Sequence, residues 1–352
     1  GQDAGAAVTT GSYNTMLGNT SRSSATASYN TIVGALSGSA ALGNNNTALG
    51  KSALATAGAV TDAVAIGANA LTSALTAGAN GSVAVGSSAL TLLTSGASNT
   101  AVGQNSGAAI TTGSSNTLLG HTSRSAATTS NNTIIGATTG STAAGGNNTV
   151  MGANAFGAVS TAITNVVGIG NGVLAGALTT GANGAVAIGS GTLAALTSGA
   201  QNVAMGNGAA AAITTGNSNT IVGTSSATAL TTGSSNTTLG TGTSVAATAS
   251  NNTMIGSTVG FTNMGGNNTV IGAHSFGSVL TAITDVVGIG YATLAGVITV
   301  AASGATAVGS NALNSLTTGA SNTAVGRSAG SAITTGSSNT LPGHSTVSEA
   351  TS

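Results

Sequence analysis

Apolar and polar residues in this chain return in short clusters, each closed by a glycine, and a 3.6-residue stripe never runs long between those glycines. A five-residue motif, Asn-Thr-x-(Leu/Val/Ile)-Gly, recurs with its last residue at 18, 34, 50, 67, 86, 103, 120, 136, 152, 170, 189, 206, 223, 240, 256, 272, 290, 309, 326 and 343, twenty copies spaced 16 to 19 residues apart. The residue before the glycine is Leu, Val, Ile or Met in nineteen copies, and the residue three before it is always Thr or Val. Two positions separated by one residue share a face of an extended strand, and both hold types that strands favour. That shared face is expected to be the core: Leu17, Val33, Leu49, Ile66, Val85, Val102, Leu119, Ile135, Ile169, Ile188, Val222, Ile255, Ile271, Ile289, Val308 and Val325. The glycine then permits a turn conformation other residues resist. Three residues beyond it stands Ala, Ser, Thr or Val in every copy, which suits a tight corner.

One strand, one turn and a second short segment per repeat predict an all-β fold, a parallel β-solenoid or β-roll of about 20 rungs, each pairing with the next. A longer period overlies the short one. Rung lengths of 16, 16, 17, 19, 17 and 17 recur almost unchanged from Gly120 and again from Gly240, with one additional rung between Gly223 and Gly240. Residues 1–352 are therefore read as a single continuous solenoid, internally triplicated into sub-blocks of about 18–120, 120–240 and 240–343.

Asn directly precedes the Thr or Val in fourteen copies, including Asn14, Asn30, Asn46, Asn99, Asn116, Asn132, Asn148, Asn219, Asn236, Asn252, Asn268, Asn322 and Asn339. Stacked in register, such amides can hydrogen-bond along the solenoid as a ladder; the competing reading is that Asn merely suits a turn. With the flanking residues pointing inward, the position two before the glycine is expected to face out. Met16, Ile32, Ile134, Val150, Ile221, Met254 and Val270 stand there. An outward apolar stripe of that length marks an interface, so these residues form the candidate surface for association with further copies, the alternative being a loop of the same chain folded over them.

Composition removes several partners. Four basic and four acidic residues in 352 leave no net charge, so the electrostatic footprint of a nucleic-acid or anionic-membrane binder is missing. No apolar run approaches the roughly 18 residues a membrane helix needs. Without Cys there are no disulfides or thiolate metal sites. The β-branched content argues against disorder.

Catalytic chemistry is equally hard to find. His121 and His344 each follow a repeat glycine where other copies carry Asn19, Lys51, Gln104, Tyr291 or Arg327, a position that reads as a solvated corner; His274 stands apart from them. Asp62 and Asp285 share one repeat position, held by Asn165 in the middle block, and a single carboxylate per block makes no acid–base pair. Residues 43–52, Gly-Asn-Asn-Asn-Thr-Ala-Leu-Gly-Lys-Ser, have six residues between the glycines where a phosphate loop has four. Asn-x-Ser/Thr sequons at Asn19, Asn45, Asn131, Asn147, Asn251 and Asn267 are too easily produced by this composition to argue for glycans, although glycans would help keep so uncharged a surface in solution. No enzyme activity, cofactor or metal is expected.

At Ser82-Val83-Ala84-Val85-Gly86 and Ala63-Val64-Ala65-Ile66-Gly67 the motif resembles the head repeat of YadA-like trimeric autotransporter adhesins. At Ser98-Asn99-Thr100-Ala101-Val102-Gly103 and Ser321-Asn322-Thr323-Ala324-Val325-Gly326 it resembles repeats of phage tail fibres. The resemblance implies a left-handed β-roll, often trimeric, working as an adhesive head or fibre shaft outside the cell. The leading expectation is a structural subunit of an extracellular, self-associating fibre at a cell surface or on a virion, joined to copies of itself laterally or end to end. Pro342, which removes an amide donor from the last rung, suits a cap. The alternative is an adhesin head or tail-fibre module binding a host surface or glycan. Ice binding ranks last, since regular Thr-x-Thr columns are missing.

Overall fold

The computed structural model is an all-β parallel β-solenoid of about 17 residues per rung. It describes residues 1–39, 41–140, 145–157, 162–260, 264–276 and 282–346. The chain divides into two compact units, one comprising Gly1–Gly172 with Leu178–Thr180, the other Val173–Ala177 with Gly181–Ser352. In the first, three-residue strands from Thr15–Leu17 to Val167–Ile169 each pair in parallel with the next. The second repeats the pattern from Val186–Ile188 to Thr340–Pro342. Registers such as Thr117 with Thr133 and Leu119 with Ile135 align each motif position into a column. A 3-10 turn winds up the extra length of each 19-residue rung, at Ala77–Ala79, Thr180–Ala182 and Val300–Ala302.

The closing glycine is required twice over. Its φ lies in the positive range, +130° at Gly103, and a Cβ built there would sit 2.4 Å from the carbonyl oxygen of Gly120 in the next rung. No side chain fits between backbones that close, and the same collision recurs from Gly18 to Gly152 in the first unit and from Gly189 to Gly326 in the second. The rungs stack at strand spacing because this corner carries no side chain.

The strands face the other way from the sequence expectation. Leu17, Val33, Leu49, Ile66, Val85, Val102, Leu119, Ile135, Ile169, Ile188, Val222, Ile255, Ile271, Ile289, Val308 and Val325 point outward, none of them buried; Leu17 is 61% exposed and Val325 47%. The supposed outward stripe is the core: Ile32, Ile134, Val150, Ile221, Met254 and Val270 are fully buried, and Met16 packs against the same interior. The reason is steric. A three-residue strand sends one side chain inward, the middle one, and that residue must match the wall opposite it, whereas β propensity alone says nothing about which face is buried.

The match can be followed from rung to rung between the middle strand residue and the residue four beyond the glycine. Small residues at the first oppose leucine at the second: Ala48 and Leu54, Ala65 and Leu71, Ala84 and Leu90, Gly168 and Leu174, Ala187 and Leu193, Gly288 and Leu294, Ala307 and Leu313. Ile32, Ile134, Ile221 and Met254 oppose glycine or alanine, whereas Val150 and Val270 stand with the buried rings of Phe156 and Phe276. A Cβ on Gly38 would lie 2.8 Å from Ile32 Cδ1, one on Gly140 3.1 Å from Ile134 Cδ1, and one on Gly260 2.7 Å from Met254 Sδ. In these rungs a large residue at one position goes with a small one at the other, as close packing demands. Where both positions are small, as at Ala101 and Gly107, Ile110 fills the space.

Hydroxyls also enter this core. Thr238 takes the middle strand position and its Oγ1 lies 2.9 Å from Ser226 Oγ. Thr293, by contrast, keeps a buried Oγ1 with no hydrogen-bond partner, where the middle block carries Val173.

Two outcomes follow from these packing assignments. Ile134→Asp buries an unpaired charge and should abolish or sharply lower the thermal transition, while Ile135→Asp, one residue along and facing out, should leave the melt of dilute protein within a few degrees of the parent; circular dichroism melts check both. Thr293→Val is nearly isosteric, removes an unsatisfied hydroxyl, and should raise stability by about 1 kcal/mol in chemical denaturation.

Candidate interaction face

What holds each strand in place is the asparagine just before it. Asn116 is buried; its Nδ2 donates to Asn99 Oδ1 at 3.0 Å and to the Thr129 carbonyl at 2.9 Å. Its own Oδ1 accepts the backbone N–H and the Nδ2 of Asn132, both at 3.1 Å. The amide therefore satisfies backbone groups of two rungs where the chain turns into the strand and strand pairing is absent. The bond from a backbone N–H to the preceding asparagine's Oδ1 runs through Asn14, Asn30 and Asn46, through Asn99, Asn116, Asn132 and Asn148, through Asn202, Asn219, Asn236, Asn252 and Asn268, and from Asn322 to Asn339. The first three runs end on a rung with an apolar corner: the amides of Ala63, Val166 and Val286 bond to Asn46, Asn148 and Asn268 but supply no side chain for the next step.

With the amides turned inward, each strand presents its first and third residues to the outside. In each unit these make two adjacent columns. One is Thr or Val, as at Thr100, Thr117, Thr133 and Thr149; the other is aliphatic, as at Val102, Leu119, Ile135 and Met151. No charged residue interrupts either column. Within each unit the residues chosen from sequence as core thus lie together on an exposed face, and those chosen as an association stripe lie behind it.

Two polar columns border that face. Before the strand, five residues ahead of the glycine, runs a line of left-handed residues that includes Asn45, Asp62, Asn131, Asn147, Asn267 and Asp285. They are exposed and bonded along the column: Asn45 Nδ2 donates to Asp62 Oδ1 at 3.0 Å, and Asn267 Nδ2 to Asp285 Oδ1 at 3.1 Å. Tyr13 and Tyr29 occupy the same column and stack, with ring centroids 5.0 Å apart. After the strand, directly behind the closing glycine, stand Lys51, His121, Tyr291, Arg327 and His344; Arg327 Nε donates to His344 Nε2 at 2.9 Å, and the ring of His274, one position further on in its rung, meets Tyr291 edge-on. Both repeat positions were legible in the sequence, one as a solvated corner, but their places on either side of an exposed strand face were not. Four of the eight charged residues, Lys51, Asp62, Asp285 and Arg327, fall on these two repeat positions.

Among the described residues no three His, Asp, Glu or Cys side chains come together to hold a metal, and no helix is long and apolar enough to cross a membrane. No protein-family model matches the chain, and neither a curated protein nor a solved structure matches it.

The ladder makes its own demand on stability. Asn116→Ala should cost about 3 kcal/mol or more, since it strips the acceptor from two buried donors of Asn132 and the donor from Thr129, at about 1–3 kcal/mol per unsatisfied group. Asn116→Asp should fare no better near neutral pH, because a carboxylate oxygen then opposes the Thr129 carbonyl. Denaturation midpoints of the two variants against the parent check this.

Proposed function

We propose that the chain is a non-enzymatic structural module of an extracellular fibre or surface appendage, and that copies associate laterally through the outward strand face. The observation that carries this reading is the continuous aliphatic column beside Thr and Val, free of charge in both units. Ten strands at about 4.8 Å, each roughly 10 Å long, give a unit on the order of 450–500 Å² of flat face before side-chain relief is counted; a standard interface takes about 800 Å² per partner. An apolar strip of that size ranks with the largest patches soluble monomers expose, which are often functional. The near absence of charge elsewhere supports a role in packing more than in steering a soluble ligand.

The Thr column favours a second reading. Thr100, Thr117, Thr133 and Thr149 stack outward at strand spacing beside aliphatic side chains, an array that could order water and bind ice. The face cannot be buried against a copy and wet at once, so a monomer with thermal hysteresis would select this reading.

Light scattering of purified protein tests the leading one. The parent should elute as a discrete oligomer or as filaments, and Val102→Lys with Leu119→Lys should release monomers whose melting transition persists, because both side chains lie outside the core. A parent that stays monomeric at high concentration overturns the reading.

A further inference from the structure

Two of the chain's three arginines stand at one repeat position, four past the closing glycine, and each lines an open groove of the first unit. One groove, of about 320 Å³, is lined by Leu92, Asn105, Ala108, Ala109, Thr122 and Arg124, and almost all the surface it exposes is apolar. The other, of about 300 Å³, is lined by Thr20, Arg22, Leu36, Gly38, Ser52 and Ala55, and is half polar. Both combine an arginine, the threonine two residues before it, small residues and one exposed leucine. Among the described residues Leu36 and Leu92, each 52% exposed, are the exposed leucines that lie outside the strands. All these positions fall two to six residues beyond a closing glycine, so the grooves are off the strand face and do not depend on its association.

The backbone sends the guanidinium outward. Arg124 N–H bonds to the Thr139 carbonyl at 2.9 Å and the residue pairs with Gly140 as an isolated parallel bridge, so side chains alternate here as in a strand. Ser123 and Ser125 are fully buried, their Oγ atoms 2.8 Å from Ser106 Oγ and 3.3 Å from Thr129 Oγ1, and Arg124 between them is exposed. Ser21, Arg22 and Ser23 repeat the alternation, whereas the third block puts Ser244 at this place. No acidic residue lies between Asp62 and Asp285 in the sequence. Among the described residues neither the Arg124 guanidinium nor the Asn105 amide has a hydrogen-bond or ionic partner. A cation kept for solubility would not need an exposed leucine beside it.

We infer that the Arg124 groove binds a small amphipathic carboxylate, the anion of a medium-chain alkyl acid, with its carboxylate on Arg124 and the Asn105 amide and its chain along Leu92, Ala108 and Ala109. A guanidinium presents paired N–H groups in the geometry a carboxylate accepts. One cation balances one negative charge, which suits a monoanion better than a phosphate carrying nearly two. The volume lies at the small end of ligand sites, about 300–1,000 Å³, and the apolar walls favour each methylene taken out of water. The Arg22 groove is the weaker version: more of its surface is polar, and Asp3, at the position of Thr20 one rung earlier, is a competing carboxylate.

Calorimetric titration with octanoate, acetate and octanol tests this, in an Arg22→Gln background that removes the charge of the weaker groove. Octanoate should bind about tenfold or more tightly than acetate, which lacks the chain, and than octanol, which lacks the charge. Adding Arg124→Gln should weaken octanoate by about tenfold or more, and adding Leu92→Ser several-fold, with unchanged melts because both side chains are exposed. Acetate that binds as well as octanoate overturns the inference, as does an Arg124→Gln variant with undiminished octanoate affinity. A readout on the unmutated protein keeps the test independent of folding: a photoreactive diazirine analogue of octanoate should label Leu92, Ala108 or Ala109. Labelling confined to strand-face residues such as Val102 and Leu119 overturns the site. None of these outcomes touches the self-association reading, which light scattering decides.

Discussion

The structure depends on one contact, the backbone of each closing glycine lying against the next so tightly that a Cβ cannot be placed between them. A solenoid rung has almost no interior of its own. Three strand residues, a corner and a return segment bury side chains only because another rung covers them, and their backbone groups find partners only one rung away. Thr117 N–H bonds to the Asn132 carbonyl at 2.8 Å and Gly120 N–H to the Val102 carbonyl at 2.8 Å, so each strand is held from both sides at its two ends. Local stability therefore comes from neighbours, and the cost of a bad residue spreads along the stack.

The period, the parallel pairing and the glycine column could be read directly from the sequence, because each is a repeated demand on backbone geometry. The asparagine ladder was half legible: position suggested it, but a turn preference explained the same residues until the shared acceptors at Asn99 and Asn116 separated the two. Strand facing was not legible by type. Val and Ile suit a strand whether they point in or out, and the interior takes Ala at eight of the twenty middle positions, so the buried column looks less hydrophobic than the exposed one. The information was present in a pair, not in a column. Ile32 with Gly38 and Ala65 with Leu71 exchange volume within one rung, and only positions that touch do so.

The corrected facing also changes what the charged residues mean. With the aliphatic column buried, Lys51, Asp62 and Asp285 would be remote from any interface and would serve only solubility. With it exposed, they become the rim of the face, and a chain with so few charges has placed several of them there. Rim charges contribute little energy in water but discriminate among orientations.

Two kinds of rung emerge from the same comparison. Rungs closing at Gly67, Gly86, Gly170, Gly189, Gly290 and Gly309 have lost the asparagine, carrying Ala63, Ser82, Val166, Ala185, Val286 and Ala305 instead, and every one of them has leucine four residues past the glycine: Leu71, Leu90, Leu174, Leu193, Leu294 and Leu313. All six leucines are fully buried. Among the fourteen rungs that keep the asparagine, Leu54 alone occupies that place. Burying a leucine contributes about 1.5–3 kcal/mol, and a buried hydrogen bond about 0.5–1.5 kcal/mol net, so either device can hold a corner of this size. Each block contains one adjacent pair of the apolar kind, flanking a 3-10 turn. There the first strand residue is also Val, at Val64, Val83, Val167, Val186 and Val287, with Thr306 the one exception. The outward face is thus most apolar where the interior relies least on amides, so the bands best suited to exclude water against a neighbour recur once in every block.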